Sequence, residues 1–306
     1  MSPPPSPSGQ KPKTLAFIGC GNMGSAILNG LLSATAPSTS SIPANPPKIT
    51  TFIINTKTAN SAARLRSQYA PSTTQAQVTI THGQNVQAMQ QADVILLACK
   101  PFLARGILSE PGIQEAVRGK IVVSIMAGVK TQDILGWVYG EGYSEDLEEE
   151  PVIVRAMPNV AARLGESMTI VEVPEGEAEE GEVMGLMGWL FGAIGKVKVV
   201  AADLFDVGTM LVGASMAVLT VPLEGVLDGC VAEGLRRAEA LEMAAQTMVG
   251  MAALLRDGVH PAILRESISS PRGCTIQGVL AVERAGVRGR FADALIEGTR
   301  HLKKDN

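Results

Sequence analysis

Along the first half of the chain, short apolar runs alternate with segments whose apolar residues recur every three or four positions. Residues 15–18 form the first run, and Ile27, Leu28, Leu31 and Leu32 then share one face at helical spacing. Runs at 49–54, 78–81, 94–98, 121–125, 152–156 and 168–173 predict further strands, with helices over 58–69 and 86–91. Most of these runs are apolar at nearly every position, as strands covered on both faces are. The alternation predicts an α/β fold, an open, doubly wound, mostly parallel sheet of Rossmann type with helices on both faces. The pattern changes near Asp203. From there to the end the signals are helical, and Ala, Leu, Met, Val and Glu dominate 209–256. An all-α second domain is predicted, with more apolar positions than one copy buries, so a homodimer or larger homo-oligomer is expected.

Composition narrows the classes. The 306 residues are 46% hydrophobic but only 4% aromatic, so aliphatic side chains and Met must fill the core. A net charge of −4 gives no basic footprint for nucleic acid and no cluster for an anionic membrane surface. No apolar run approaches the roughly 20 residues of a membrane span, so no membrane partner is expected. Cys20, Cys99, Cys230 and Cys274 lack C-x-x-C spacing and read as reduced thiols, which places the chain in the cytoplasm. No His/Cys/Asp/Glu cluster has ligand spacing, so no metal is expected. Residues 1–13 are Pro/Ser-rich and read as a disordered tail. Residues 33–48 read as a surface loop, and 141–150 as a solvated acidic insertion.

The chemistry begins at Gly19, Gly21 and Gly24, spaced G-x-G-x-x-G between a predicted strand and a predicted helix. That context is what a dinucleotide-binding loop requires. The first Gly makes the tight turn, the second admits the pyrophosphate, and the third lets helix and strand pack closely. The anion then rests on free N–H groups at the helix N-terminus. The organisation expected is a dinucleotide-binding domain over 14–202 and a helical substrate and dimerisation domain over 203–306. NAD-binding units usually end their second strand with Asp or Glu, which holds the ribose hydroxyls. Here the strand runs into Asn55, Thr56 and Lys57, with Arg64 further on. Without a carboxylate to repel a 2′-phosphate, NADPH is the expected cofactor, with NADH as the alternative.

A hydride-transfer enzyme also needs groups that orient the acceptor and manage a proton. His82 is expected in a loop, His260 at a helix start before Pro261, and His301 in the tail. No lysine occurs between Lys198 and Lys303, so the helical domain supplies no ammonium. What remains is the polar turn Ser269-Ser270-Pro271-Arg272-Gly273-Cys274-Thr275, leading into an apolar helix over 276–285. Such a turn suits a carboxylate, and equally an ordinary N-cap; the residues alone leave both open.

Taken in order, these segments resemble the pyrroline-5-carboxylate reductase family from about residue 14 to 303. The resemblance is carried by F-I-G-C-G-N-M-G-S-A-I, D-V-I-L-L-A-C-K-P-F, V-V-S-I-M-A-G-V, R-A-M-P-N, L-V-G-A-S-M-A and S-S-P-R-G-C-T-I. It implies reduction of the cyclic imine 1-pyrroline-5-carboxylate to L-proline with NAD(P)H. By resemblance, Ile18, Gly19, Cys20, Gly21, Asn22 and Met23 bind the pyrophosphate, and Asn55, Thr56 and Lys57 the adenosine ribose end. Asn85, Ala98, Cys99, Lys100, Pro101, Met126 and Ala127 line the cofactor. Thr275 is the catalytic residue, contacting the imine nitrogen. Ser270 with the backbone of Gly273 and Cys274 holds the substrate carboxylate; Arg272, where the family has glycine, is a further candidate substrate contact whose guanidinium either strengthens that binding or blocks the pocket. The resemblance also implies a site built between subunits of an interleaved dimer. Two departures stand out. The proline of the family's G-S-G-P-A is Met216, and the second-last glycine of its S-P-G-G-T-T-I is Arg272. Both fall on the substrate side, so a reductase of another imine and a non-catalytic NADPH-binding homologue are the alternative expectations.

Overall fold

The computed structural model describes residues 13–35, 48–69, 76–140, 149–172 and 181–304. Strand β1 (Lys13–Ile18) leads through the glycine loop into α1 (Asn22–Thr35). There follow β2 (Ile49–Thr56), α2 (Ala59–Gln68), β3 (Gln77–His82), α3 (Asn85–Gln90), β4 (Val94–Leu97), α4 (Pro101–Leu108) and α5 (Ile113–Val117). The sheet is completed by β5 (Ile121–Ser124), α6 (Thr131–Tyr139), β6 (Val152–Met157), β7 (Ser167–Glu172), α7 (Glu182–Gly192) and β8 (Gly195–Val200). The strand order is β3-β2-β1-β4-β5-β6-β7-β8, and every neighbouring pair is parallel except β6 with β7.

Continuous apolar strands have a direct cause here. Alternate residues of β1 enter opposite cores: Leu15 and Phe17 pack with α1 and α7 residues such as Leu28, Leu31 and Phe191. Ala16 and Ile18 pack with Met89, Leu108, Ile113 and Ile134 on the other side. Both sheet faces are covered, so the strand interiors are mostly apolar, and polar residues such as Asn55, Thr56 and Ser124 stand at the strand ends. Ile18 lies opposite Asn55 of β2 and Leu97 of β4, so the chain leaves β1 where the strand order reverses. Ligands of open α/β sheets bind outside the carboxyl ends of the strands at that point.

Three sequence expectations need correction. β8 carries exposed Lys196 and Lys198 in alternation, the signature of a charged sheet edge, and a search for continuous apolar runs passes over it. His82 is the last residue of β3, opposite Thr56, and not in a loop; His301 lies inside a helix, α13, described below. His260 does stand at a helix start, its Nδ1 accepting from the Ala262 N–H at 3.2 Å. Of the tail, residues 1–12 lie outside the described residues, and Lys13 already pairs with Ile49. The expected loops at 33–48 and 141–150 also fall mostly outside them; residues 33–35 end α1.

By internal packing, the structure divides into the chain up to Gly213 with that from His301, and a unit spanning Ala214–Arg300. The first ends with α8 (Phe205–Thr209) and a π-helical turn over Met210–Ala214. The second holds α9 (Ser215–Ala232), α10 (Arg237–Arg256), α11 (Pro261–Ser267), α12 (Cys274–Arg284) and most of α13 (Val287–Lys304). Residues 202–232 form one run of helical turns, long and apolar enough to cross a membrane, against the sequence expectation. Asp203, Asp206, Pro222, Glu224 and Asp228 break the apolar run, yet the average over its middle remains apolar. Only 6% of its most apolar stretch is buried within the chain.

Candidate functional site

The glycine loop folds by necessity of backbone approach. Gly19 has φ +87°, and a Cβ there would stand 2.9 Å from Ala98 O and from Cys99 N. Only a residue without a side chain lets the β1–α1 loop touch the β4–α4 loop. Gly21, by contrast, faces open space, with no atom within 4 Å of where its Cβ would be. The Gly19 N–H donates to Asn55 O at 2.8 Å, and the Ala98 N–H to Ile18 O at 3.0 Å, which ties the ends of β1, β2 and β4 together.

Above this junction lies a cavity of 580 Å³. It is lined by most of the residues expected to hold a cofactor: Ile18, Gly19, Cys20, Gly21, Asn55, Thr56, Lys57, Asn85, Ala98, Cys99 and Lys100. Others lie elsewhere. Asn22 and Met23 line a second cavity of 580 Å³ that shares Arg64 and adds Arg163. Pro101 and Ala127 line a third with Val129 and Trp137. Met126 is buried, its sulfur accepting from the Cys99 thiol at 3.5 Å, so it backs the wall and does not form it.

The side chains at the end of β2 divide by use. Asn55 is buried, with Nδ2 donating to Asn85 Oδ1 at 2.6 Å and Oδ1 accepting from Thr81 Oγ1 and the Gln84 N–H. The Thr56 hydroxyl bonds the carbonyls of Thr58 and Thr81. Both therefore build the cavity floor more than they offer donors. Lys57 is exposed and forms no ion pair among the described residues. With Arg64 and Ser61 it makes a cationic, hydroxyl-bearing margin suited to a phosphate. Burial pushes the Cys99 thiol up to about 11 and also raises Cys20, so neither is a nucleophile near neutral pH.

Sequence reasoning missed Ser61, Gly83, Leu103, Gly106, Ile107 and Glu110 on the same wall. Four of these follow i, i+3, i+4, i+7 spacing from Leu103, a signal that could have found them once α4 was placed. It also passed over what Asn159 of the M-P-N segment does. Its Nδ2 donates to Val212 O at 3.0 Å, inside the π-helical turn, where a carbonyl is freed from the regular ladder.

In the helical unit the expected substrate turn is sharply defined. The Gly273 N–H donates to Ser270 O at 3.0 Å, and Arg272 has φ +60°. Pro271 holds its own φ near −65°, so the turn is type II, whose third position favours glycine. Gly273 is the N-cap of α12, and no side chain caps that helix. A Cβ on Gly273 would meet Ser270 Oγ at 2.4 Å, so the serine hydroxyl sits directly over the glycine backbone. Exposed Cys274 and half-buried Thr275 occupy the first turn of α12. The N-cap alternative therefore lacks its hydrogen bond, and the first N–H groups of α12 are left for solvent or an anion.

Comparison with known proteins agrees with this two-part organisation. Residues 202–305 match the family described as pyrroline-5-carboxylate reductase dimerisation, and residues 14–128 match NADP oxidoreductase, coenzyme F420-dependent. A pyrroline-5-carboxylate reductase of Lophium arboricola is 41% identical over 94% of this chain and 91% of its own length. One from Neurospora crassa is 40% identical over the same shares. The solved pyrroline carboxylate reductase of Plasmodium falciparum, with NADP bound, shares the fold at a TM-score of 0.73 and 21% identity, covering 96% of this chain and 98% of its own. With relatives this similar running through both units, the chain belongs to the pyrroline-5-carboxylate reductase family.

Proposed function

We propose that this chain reduces 1-pyrroline-5-carboxylate to L-proline, the last step of proline biosynthesis, with NADPH as preferred hydride donor and NADH as the weaker one. The observation that carries the reading is the cavity at the strand ends, where a glycine loop meets a cationic margin at the end of β2. Bound there, NADPH supplies the hydride. The loop from Ile18 to Met23 holds the pyrophosphate, while Lys57 and Arg64 pair with the 2′-phosphate. Asn85, Ala98–Pro101, Met126 and Ala127 shape the rest, and Asn55 and Thr56 keep the floor rigid.

In the helical unit, Ser270 and the N–H groups of Gly273 and Cys274 bind the imino acid's carboxylate, helped by Arg272. Thr275 orients the ring nitrogen and relays a proton from water. As the imine carbon gains hydride, the C=N π pair becomes the nitrogen lone pair and takes that proton, so the product is a neutral amine. No strong acid is required of the protein, and positioning supplies much of the rate. The apolar helices complete themselves in a homodimer or larger homo-oligomer, and the cytoplasm is the proposed compartment.

A second reading, reduction of a different imine, is favoured by one observation: Arg272 stands in a left-handed position where the family motif has glycine. Oxidation of NADPH followed at 340 nm separates them. Rapid turnover of pyrroline-5-carboxylate, faster with NADPH than NADH, is expected. Turnover confined to pyrroline-2-carboxylate or another cyclic imine selects the second reading. Cofactor binding without any turnover overturns both in favour of a non-catalytic homologue.

A further inference from the structure

One wall of the cavity has a chemistry that the glycine loop and the cationic margin do not account for. Leu103, Gly106, Ile107 and Glu110 line it from one face of α4 and the turn that follows. Leu103 and Ile107 are apolar, and Gly106 leaves open space above its backbone. Glu110 is a half-buried carboxylate that forms no ion pair among the described residues, although Lys57, Arg64 and Lys100 line the same cavity.

The one side-chain bond of Glu110 among the described residues comes from Asn85, whose Nδ2 donates to Oε1 at 2.7 Å. An ionised carboxylate only accepts, so this contact fixes which end of the Asn85 amide faces it. Asn85 Oδ1 is thereby turned to accept from Asn55 Nδ2 at 2.6 Å. Asn55 Oδ1 in turn accepts from Thr81 Oγ1 at 3.0 Å and the Gln84 N–H at 3.1 Å. The direction of the chain of bonds is fixed at both ends, by the Glu110 carboxylate and by the Gln84 backbone N–H, which can only donate. Two capacities are left over: the second oxygen of Glu110 is an acceptor, and the second N–H of Asn85 is a donor. Both belong to residues joined by a hydrogen bond that line the same cavity, together with apolar Leu103 and Ile107.

An adenine edge has the complementary pattern, an exocyclic amine that donates beside a ring nitrogen that accepts. We propose that Glu110 and Asn85 read this edge of the cofactor. Glu110 Oε2 accepts from the amine, Asn85 Nδ2 donates to ring nitrogen N7, which stays an acceptor in hypoxanthine, and Leu103 and Ile107 pack against the base. Glu110 is thus a specificity-determining residue and Asn55 a positioning residue that holds Asn85. A ribose diol would also satisfy the carboxylate, but it has no use for the apolar wall. The inference rests on the reading of this cavity as the NADPH site.

The test compares binding of NADPH with that of its hypoxanthine analogue, in which a carbonyl oxygen replaces the amine. Dissociation constants are measured by quenching of protein fluorescence, so turnover is not the readout. In the wild-type protein the analogue's oxygen would face Glu110 acceptor to acceptor, and binding about ten-fold or more weaker than NADPH is expected. Glu110→Gln keeps an oxygen for Asn85 while presenting an N–H₂ to the base. It should reduce the discrimination to about two-fold or less, weakening NADPH and strengthening the analogue. Equal binding of both dinucleotides by the wild-type protein overturns the proposal, as does undiminished discrimination in Glu110→Gln. Binding of neither would remove the cofactor reading itself, and this inference with it.

Discussion

The two units are built from similarly apolar sequence and use it in opposite ways. In the first, α1 buries six of its fourteen residues, and the sheet between its two helical layers has almost no exposed apolar position. In the second, α10 buries one residue of twenty, Ala240, while Leu241, Met243, Val249 and Met251 stay exposed. The difference separates a scaffold that completes its own core from one that does not. The cavity at the strand ends, the proposed dinucleotide site, is assembled entirely from the self-sufficient part, by backbone contacts that a single chain provides. The expected substrate turn lies in the part whose helices leave apolar faces uncovered within one chain. Where copies of the chain associate through those faces, as proposed above, stability of that part is linked to protein concentration, because association stabilises the state that binds.

The strongest way to break the comparison is to damage the self-sufficient half. Gly19→Ala imposes a left-handed φ on alanine and drives its Cβ to 2.9 Å from two backbone atoms. Conformational cost of about 1–2 kcal/mol and overpacking of about 1–3 kcal/mol combine to roughly 3 kcal/mol. A clear fall in the urea midpoint with loss of NADPH binding is expected. A stable variant that binds normally would mean that the loop does not need its close approach to Ala98.

A smaller effect is expected from Val249→Glu, on the uncovered face of α10, where the native side chain is 60% exposed. A carboxylate there costs the lone chain nothing but must be desolvated beneath a partner, at about 2 kcal/mol per copy. Light scattering after size exclusion should show dissociation at micromolar concentration, with NADPH binding to the other unit retained. An unchanged mass would show that this face is not where copies meet.

How far the chain could be read follows the same division. Strands β1, β2, β4, β5 and β6 were visible because burial on two faces leaves unbroken apolar runs, and the glycine loop because its spacing has one geometric cause. Edge strand β8 was hidden by its alternating lysines. Asn55 was legible as a site residue but not in its use, because the partners that consume its amide, Thr81, Gln84 and Asn85, come from the next strand and helix. Glu110 was reachable only through its helical spacing from Leu103 once α4 was placed, and its bond from Asn85, 25 residues earlier, was not reachable at all. Nor could spacing reveal that Arg155 of β6 meets Glu172 of β7 at 2.8 Å and Asp206 of α8 at 3.3 Å, a buried cluster that ties the antiparallel strand to the helix after the sheet. In the helical unit the periodicity showed helices but not what covers them.

Arg272→Gly gives the smallest expected effect and the finest test of the helical side. Arginine at φ +60° in the third position of a type II turn is disfavoured, and glycine there relieves up to about 1 kcal/mol, part of it offset by the greater freedom of glycine when unfolded. The variant should therefore be slightly more stable, by a few degrees at most. If the guanidinium helps hold the substrate carboxylate, its removal raises KM for pyrroline-5-carboxylate by about five-fold, roughly 1 kcal/mol, and leaves kcat and the KM for NADPH unchanged. Such a split would assign Arg272 to substrate binding, because relief of backbone strain alone would not raise KM. A fall in KM, or a gain in kcat for pyrroline-5-carboxylate, would instead mean that the arginine obstructs this substrate, and that the native turn is shaped for another imine. Either way the affinity for NADPH should be unchanged, since the cavity at the strand ends is lined by residues of the first unit alone.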